Sequence, residues 1–482
     1  MYSKSLIQQN NHNMQTKFFN TYFVHFAVLT VNLISFATGA LYSWTSPVLP
    51  KLNGLKDPND NPLPLPATTD ESSLITSLLG LGTIFGSILS GFPSERIGRK
   101  KTLLVFAIPM FTAHVMLIFA KSLVIIYTAR FFCGLGAGCV FAVVPNYITE
   151  ISEDKNRGIM GCTMGIALAT GIMSNYIIGP FVSMSILSCF HLVPIILFIV
   201  LFGWFVPETP YYFASCNDKN NLETCLMKFR NQSSTDVQKE LVYIIQTVED
   251  SQAAQGSVKD LFKLTYLRRG LIISCMLMVV QQFSGITAVL GYMQTIFEAT
   301  GSSISPEYSS MFVGITQVIV QLFVCSLIEK LGRRILLMFS TVGSFISLVT
   351  LGVYFYLNNN GYDTSSIFWL PIASLMIYIV AYNAGLASLP WTIMGELFPS
   401  NVKSLASTFT SCVCLTISFI IAQIFSSIVV VFGMAGTFWM FSGFCIAGFF
   451  FTMFIVPETK GKSSQEIQAI LEGHNKKQSI LQ

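Results

Sequence analysis

The chain has 482 residues, of which 52 % are hydrophobic and only 11 % are charged, whereas roughly 25 % of the residues of soluble domains are charged. This composition excludes a water-soluble domain. The net charge of +4 reflects the placement of basic loops beside a membrane and does not indicate nucleic-acid binding.

Long runs without charge predict the membrane spans. A bilayer core of roughly 30 Å needs about 20 apolar residues per helix. The charge-free runs are 18–50, 72–94, 102–120, 131–149, 159–207, 270–297, 308–328, 335–362, 364–395 and 404–457. Two of them, 159–207 and 404–457, are each long enough for two helices, so we predict twelve spans. The first begins near Phe18 and is too long for a signal-peptide core, so we expect it to be retained.

These spans predict an all-α membrane protein with two pseudo-symmetric six-helix bundles. The predicted parts are a leader at 1–17, a bundle at 18–206, a linker with short amphipathic helices at 207–269, a bundle at 270–456 and a tail at 457–482. All the basic loops fall on one side if both termini are cytoplasmic, which is the orientation that lysine and arginine bias favours. We therefore expect a multi-pass plasma-membrane protein. It needs no metal or other cofactor and functions as a monomer.

A charged cluster occurs at the same place in both halves. The sequence Glu-Arg-Ile-Gly-Arg-Lys at 95–100 returns as Glu-Lys-Leu-Gly-Arg-Arg at 329–334. Two further acidic motifs follow in the same order in each half. One is a glutamate after the fourth and the tenth span, and the other is Pro-Glu-Thr after the sixth and the twelfth. The repeated residues are Glu95, Gly98, Arg99, Glu150 and Glu208 in the first half, and Glu329, Gly332, Arg333, Glu396 and Glu458 in the second. Arg96 belongs to the first cluster. Such a repeat is typical of secondary transporters.

The repeat has two interpretations. In one, arginines and carboxylates form a cytoplasmic latch, because a guanidinium can serve two carboxylates, and this latch opens when a central cavity faces inward. In the other, the basic turns only keep their loops in the cytoplasm. The matching downstream acids favour the latch.

Several polar residues lie within predicted spans. Arg130 is the one charge placed well inside a span, where it either lines a cavity or extends to the outer interface. Gln281 and Gln282 are paired amides that suit sugar hydroxyl groups, although hydrogen bonding between helices explains them equally well. Thr287, Gln317 and Trp391 lie at similar depth. The glycines at 134, 136 and 138 predict close helix packing, and the eleven cysteines do not form a disulfide framework.

The motifs together resemble the sugar-porter branch of the major facilitator superfamily from about residue 20 to 470. They are Gly91-x-x-x-Glu95-Arg96-x-Gly98-Arg99-Lys100, Arg130-Phe131-x-x-Gly134, Tyr147-x-x-Glu150-Ile151, Arg157-Gly158, Pro207-Glu208-Thr209-Pro210, Gln281-Gln282-Phe283-Ser284-Gly285, Glu329-x-x-Gly332-Arg333-Arg334, Pro390-Trp391, Glu396-Leu397-Phe398-Pro399 and Pro457-Glu458-Thr459. The segment 42–50 is most similar to insect facilitated trehalose transporters. The resemblance implies alternating access, sugar contacts for Gln281, Gln282 and Trp391, and a gating role for Arg157.

Departures from that pattern limit what carries over. Thr287 and Gln317 stand where glucose carriers hold asparagine, Gly165 stands near a glutamine position, and Lys403 replaces an arginine. Proton-coupled relatives place an acid in the first helix, but residues 18–50 contain none. We therefore expect a sugar uniporter for trehalose or a hexose such as glucose. A proton symporter is the alternative, as is a non-transporting sensor or orphan carrier. An enzyme is not expected.

Overall fold

The computed structural model describes residues 23–54, 61–153, 155–253, 258–462 and 464–472; the leader 1–17 lies outside these ranges. Some side chains within described helices also remain outside the description, namely those of 251–253, 258–260, 325–330, 400, 401, 404, 464 and 465. The described chain is helical almost throughout, as the composition predicted.

Eleven apolar segments of the described chain are long enough to cross a membrane. They are Phe23–Leu52, Thr69–Arg96, Arg99–Ile118, Leu123–Ile151, Arg157–Phe181, Met184–Phe205, Thr265–Glu298, Pro306–Val324, Arg333–Asn359, Ser365–Leu397 and Leu405–Phe454. The last has 50 residues, and at 1.5 Å per residue it would extend for about 75 Å, more than twice a bilayer core. Gly433 breaks it at φ 69° and ψ 171°, so it forms two spans. The described helices therefore give the twelve predicted spans, numbered 1 to 12 below.

Glycines bring spans 2 and 4 into backbone contact. A Cβ atom on Gly134 would lie 2.7 Å from the Cα of Gly82, and one on Gly138 would lie 2.9 Å from the carbonyl carbon of Gly86. Any side chain at Gly134 or Gly138 would therefore separate the two helices. This is the close packing that the glycine run predicted, and it fixes span 4, which carries Arg130 and Glu150.

Three seams join the two halves: span 1 with span 7, span 2 with span 11, and span 5 with span 8. Span 7 is broken into the helices Thr265–Phe283 and Ile286–Glu298, with Gly285 at φ 88° between them. At the end of the bundle opposite the linker, the Thr45 hydroxyl donates to the Gly291 carbonyl at 2.9 Å, and the Tyr176 hydroxyl donates to the Leu290 carbonyl at 3.0 Å. The halves are thus packed together at that end.

The linker between the halves forms short helices, as its amphipathic pattern predicted. Their bounds are Pro210–Ser215, Lys219–Arg230, Ser234–Ala253 and Val258–Lys263. The first three share a small apolar core. They are fixed to the first half because Lys228 donates to the Phe205 carbonyl at 3.0 Å and Arg230 donates to the Ile151 carbonyl at 2.8 Å. The described tail forms one helix, Ser464–Glu472.

Most cysteines of the described chain are free. Nine are free thiols, and Cys162 in span 5 is disulfide-bonded. The sequence predicted no disulfide framework, and Cys162 is the one bridged cysteine among the described residues.

Candidate functional site: a central cavity and a charge network at the helix ends

The basic turn of the first half forms an ion pair with the end of span 4. Span 2 ends at Arg96 and span 3 begins at Arg99, so the turn points the Arg99 side chain back toward span 4. The Nη2 and Nε atoms of Arg99 lie 3.0 Å and 3.1 Å from Oε1 of Glu150. The Arg99 Nη1 atom donates to the Ser94 carbonyl at 3.0 Å. Arg99 therefore ties spans 2, 3 and 4 together.

The second half repeats this pair. The Nη2 atom of Arg333 lies 3.2 Å from Oε1 of Glu396, which joins the start of span 9 to the end of span 10. Each of the two pairs connects helices of the same half. Neither pair by itself connects one half to the other. A pair therefore influences gating only by fixing the positions of the helix ends in its own half.

Glu208 caps the start of span 3. Both of its carboxylate oxygens accept from the Lys100 backbone N–H at 3.0 Å, and Oε1 also accepts from the Thr209 N–H at 3.0 Å. The first N–H groups of a helix have no partner within the helix, so a carboxylate there satisfies them and interacts favourably with the helix dipole. Burial raises the pKa of Glu208 above its usual range despite these hydrogen bonds.

Glu458 caps the start of span 9 in the same manner. Its carboxylate accepts from the N–H groups of Arg333 and Arg334, each at 3.1 Å, and from the N–H of Lys460 at 3.0 Å. Burial is the largest single influence and raises the pKa, but the backbone hydrogen bonds together outweigh it. The pKa of Glu458 therefore lies below its usual range, in contrast to that of Glu208.

The remaining gate candidates lie at the rim of this network. Glu95 is exposed, and within the described part of the chain it forms no ion pair with Arg99, which pairs with Glu150 instead. The Arg96 guanidinium stacks 4.3 Å from the centre of the Phe92 ring. Arg157 begins span 5, Lys403 is exposed near the start of span 11, and the side chain of Glu329 lies outside the described residues.

Arg130 points into the protein and is 1 % exposed. Its Nε atom donates to the Ile75 carbonyl and its Nη1 atom to the Leu41 carbonyl, both at 3.0 Å. Its guanidinium also lies 5.1 Å from the centre of the Trp44 ring. These contacts decide between the two sequence interpretations: the side chain remains inside the bundle and does not extend to the outer interface.

Gln281 and Gln282 have different surroundings. The Gln281 amide donates to the carbonyls of Leu386 and Ala387, at 2.7 Å and 3.1 Å, where span 10 is broken. Among the described residues, the Gln282 amide donates to the Cys414 thiol alone, at 3.2 Å. A thiol is a weak acceptor, so the amide of Gln282 is the more easily released of the two. Gln281 holds two segments of span 10 in place.

Thr287 extends this polar group toward span 11. Its hydroxyl donates to Oε1 of Gln282 at 2.9 Å and lies 3.0 Å from the Ser418 hydroxyl. Cys414 and Ser418 therefore adjoin the site, although neither is among the contacts predicted from the sequence. Their positions four residues apart on one helix face were the available signal.

Gln317 and Trp391 come from spans 8 and 10. Gln317 is 7 % exposed, and its Oε1 atom has no hydrogen-bond partner among the described residues. A buried carbonyl oxygen without a partner is costly and favours a ligand that donates a hydrogen bond. Trp391 is half-buried and packs against the apolar core at the break in span 10.

A cavity lies between the two halves. The volume open to the centre of a water molecule is only about 10 Å³, so the cavity is nearly closed in this conformation. Its lining combines one cation, hydroxyl groups and apolar surface from spans 1, 2, 4, 7 and 11. The lining residues are Tyr42, Thr76, Leu79, Gly80, Arg130, Thr287, Ser418 and Ala422. Arg130 and Thr287, both selected from sequence, thus share one cavity.

A family model described as "Sugar (and other) transporter" matches residues 16–471. The chain therefore belongs to this family of membrane transporters.

Among its relatives, the facilitated trehalose transporter Tret1 of Polypedilum vanderplanki is 32 % identical over 457 residues, which cover 94 % of this chain and 89 % of that protein. Tret1 of Bombyx mori is 32 % identical over 446 residues, which cover 92 % and 85 %. Both relatives extend across both halves of the chain.

A solved structure shares the fold. The proton:xylose symporter XylE bound to 6-bromo-6-deoxy-D-glucose has a TM-score of 0.75, with 94 % of this chain and 100 % of that chain covered. At 21 % identity the similarity shows the major facilitator architecture alone. It confirms the predicted fold class of two six-helix bundles.

Proposed function

We propose that this chain is a facilitative uniporter that carries trehalose, or a hexose such as glucose, across the plasma membrane by alternating access. The names of its 32 % identical relatives support a trehalose-like substrate. A central cavity lined by hydroxyl groups and the Arg130 guanidinium, with the Gln282 amide bonded to its Thr287 side chain, supports a polyhydroxylated one. We further propose that both termini are cytoplasmic and that a monomer suffices, because each chain supplies both halves of one cavity.

The environment of Arg130 carries the uniport proposal. Its two hydrogen bonds go to the carbonyls of Leu41 and Ile75, and these groups do not titrate. The described part of span 1 holds no acidic residue that could exchange a proton with Arg130. A carrier in which this arginine is satisfied by backbone has no need of a proton for each transport cycle.

We assign as substrate contacts the polar side chains that can exchange a present hydrogen-bond partner for a sugar hydroxyl group. Gln282, Thr287 and Gln317 are the polar contacts, and Trp391 supplies an aromatic face for a sugar ring. Gln281 also adjoins the site, but its two backbone partners give it a positioning role. Sugar hydroxyl groups both donate and accept, so they can replace the Cys414 thiol at Gln282 and satisfy the buried oxygen of Gln317.

The charge network serves as the cytoplasmic gate. Arg99 with Glu150, and Arg333 with Glu396, fix the cytoplasmic helix ends of each half. Glu208 and Glu458 fix the starts of spans 3 and 9. With these helix ends fixed, the cytoplasmic surfaces of the two halves are complementary and pack together when the cavity closes to the inside. Glu95, Arg96, Arg157, Glu329 and Lys403 lie at the rim where the two surfaces would meet.

Uptake into proteoliposomes tests the proposal. Radiolabelled trehalose, glucose and a polyol panel should equilibrate down their gradients, at an unchanged rate from about pH 5.5 to about pH 8. Gln282→Ala and Trp391→Ala serve as matched impaired variants. Accumulation driven by an imposed pH gradient would establish a proton symporter instead. Wild-type uptake no greater than that of the two variants, for every sugar, would leave no carrier function.

A further inference from the structure

The seam between spans 5 and 8 contains a polar contact that the cavity described above does not include. Span 8 runs antiparallel to span 5 and belongs to the other half. Near the outer end a side chain of span 5 fills the space beside a glycine of span 8, because a Cβ atom on Gly314 would lie 2.9 Å from Cδ2 of Tyr176. Further along the seam, away from the outer end, the glycine belongs to span 5 and the side chain that packs against it belongs to span 8.

That side chain is Gln321. Its carboxamide lies directly against the Cα of Gly165, so closely that a Cβ atom at this position would overlap Nε2 and lie 3.1 Å from Cδ. The absence of a side chain at Gly165 is therefore what leaves space for the Gln321 head group. A carboxamide carried by residue 165 itself would occupy the same space from the opposite helix.

Gln321 does not stand alone on its helix. Gln317 lies one turn earlier on the same face, as residues four apart in a helix do. Gln317 is buried and its Oε1 atom has no partner among the described residues, whereas Gln321 is only half-buried. Two carboxamides in succession, one of them unsatisfied, form a polar stripe in an otherwise apolar span and require hydrogen-bond donors there.

We propose that Gln321 is a further substrate-selecting residue, which together with Gln317 binds hydroxyl groups of the sugar at the seam between spans 5 and 8. This inference rests on the proposed sugar transport. It adds a second carboxamide of span 8 to the proposed contacts, extends the binding site to the face of span 5, and assigns Gly165 the role of leaving room for that carboxamide.

The test measures KM and Vmax for trehalose and glucose in proteoliposomes. Gln321→Leu keeps much of the side-chain volume and removes the hydrogen bonds, so KM should rise about tenfold with Vmax unchanged. The paired variant Gly165→Gln with Gln321→Gly moves the carboxamide to span 5 without adding one, and KM should return toward the wild-type value. Gly165→Ala alone displaces Gln321 and should raise KM, and adding Gln321→Ala, which removes the same carboxamide, should raise it little further.

The outcomes separate this inference from the proposed function. Wild-type transport together with an unchanged KM in Gln321→Leu would refute the role of Gln321 alone. A fall in Vmax at constant KM, not repaired by the exchange, would show that the contact only packs the seam. Failure of the wild-type protein to transport any sugar of the panel would instead refute the proposed function.

Discussion

The carboxylate of Glu208 occupies the space in which a Cβ atom on Gly98 would lie. The same relationship holds in the second half, where a Cβ atom on Gly332 would lie 2.6 Å from Oε2 of Glu458. The glycines of the two basic turns therefore do more than allow a tight connection. Each permits a carboxylate to reach the first backbone N–H groups of the next span. Gly98 differs from Gly332 in its backbone, with φ 98° and ψ 162° against φ −67° and ψ 149°.

Substitution of these glycines should reveal that difference. Gly98→Ala displaces Glu208 and also forces alanine into a region that only glycine readily adopts, at a cost of roughly 1–3 kcal/mol. Gly332→Ala displaces Glu458 without backbone strain and is the matched control. We expect a lower melting temperature for Gly98→Ala than for Gly332→Ala, measured by thermal denaturation in detergent. Equal decreases in melting temperature for the two variants would contradict a contribution of backbone strain at Gly98.

The two capping glutamates should respond oppositely to acid. The pKa of Glu458 is lowered in the folded protein, so its contribution to stability is present at neutral pH and is lost as the pH falls through that pKa. The pKa of Glu208 is raised, so the folded state gains stability as the pH falls through it. Melting temperatures of wild type, Glu458→Gln and Glu208→Gln from about pH 8 to about pH 4 measure both effects.

The expected signs are specific. The advantage of wild type over Glu458→Gln should shrink on acidification, while the stability of wild type relative to Glu208→Gln should grow. Parallel pH profiles for the two comparisons would show that the two sites have the same protonation behaviour.

Substitutions of the adjacent glutamines Gln281 and Gln282 should have different effects on transport kinetics. Gln282→Leu removes an amide whose N–H groups donate to the weakly accepting Cys414 thiol, so KM should rise about tenfold, as expected for one hydrogen bond to substrate. Gln281→Leu leaves two buried carbonyls of span 10 without their donor and should lower the yield of folded carrier with little change in KM. Cys414→Ser, which offers Gln282 a stronger acceptor, should weaken substrate binding. A larger KM effect at Gln281 than at Gln282 would reverse the assignment.

The number and limits of the spans could be predicted because hydropathy and charge act locally. The pairing of Arg99 with Glu150 also followed from the repeat, since Arg99 begins span 3 and Glu150 ends span 4 in the same half. The partners of Arg130 could not be predicted, because they are the backbone carbonyls of Leu41 and Ile75. Every residue has a backbone carbonyl, so the side-chain sequence does not indicate which ones bind the arginine. The same holds for the Cys414 thiol between two amides, since only folding brings spans 7 and 11 together.

The second arginine pair offers a test of gating. Arg333 has one ion-pair contact to Glu396, at 3.2 Å, whereas Arg99 approaches Glu150 through both Nε and Nη2. Lys403, which is near Gly395, adds a cation without the planar fork of an arginine. The second half is therefore the more weakly tied at its cytoplasmic end. We expect Arg333→Ala to loosen the ends of spans 9 and 10, so that closure to the inside is disfavoured and the inward-open state accumulates.

Accessibility of a reporter cysteine measures this shift. Asn146 is an exposed amide near the cytoplasmic end of span 4, and Asn146→Cys places a thiol there in the first half, away from the altered pair. Its rate of labelling by a charged thiol reagent from the cytoplasmic side should rise several-fold in Arg333→Ala. Arg333→Lys, which keeps the charge, should give an intermediate rate. Labelling in Arg333→Ala at the rate of the unmodified background would refute a gating role, because a pair that only stabilises its own half would leave the balance between the two states unchanged.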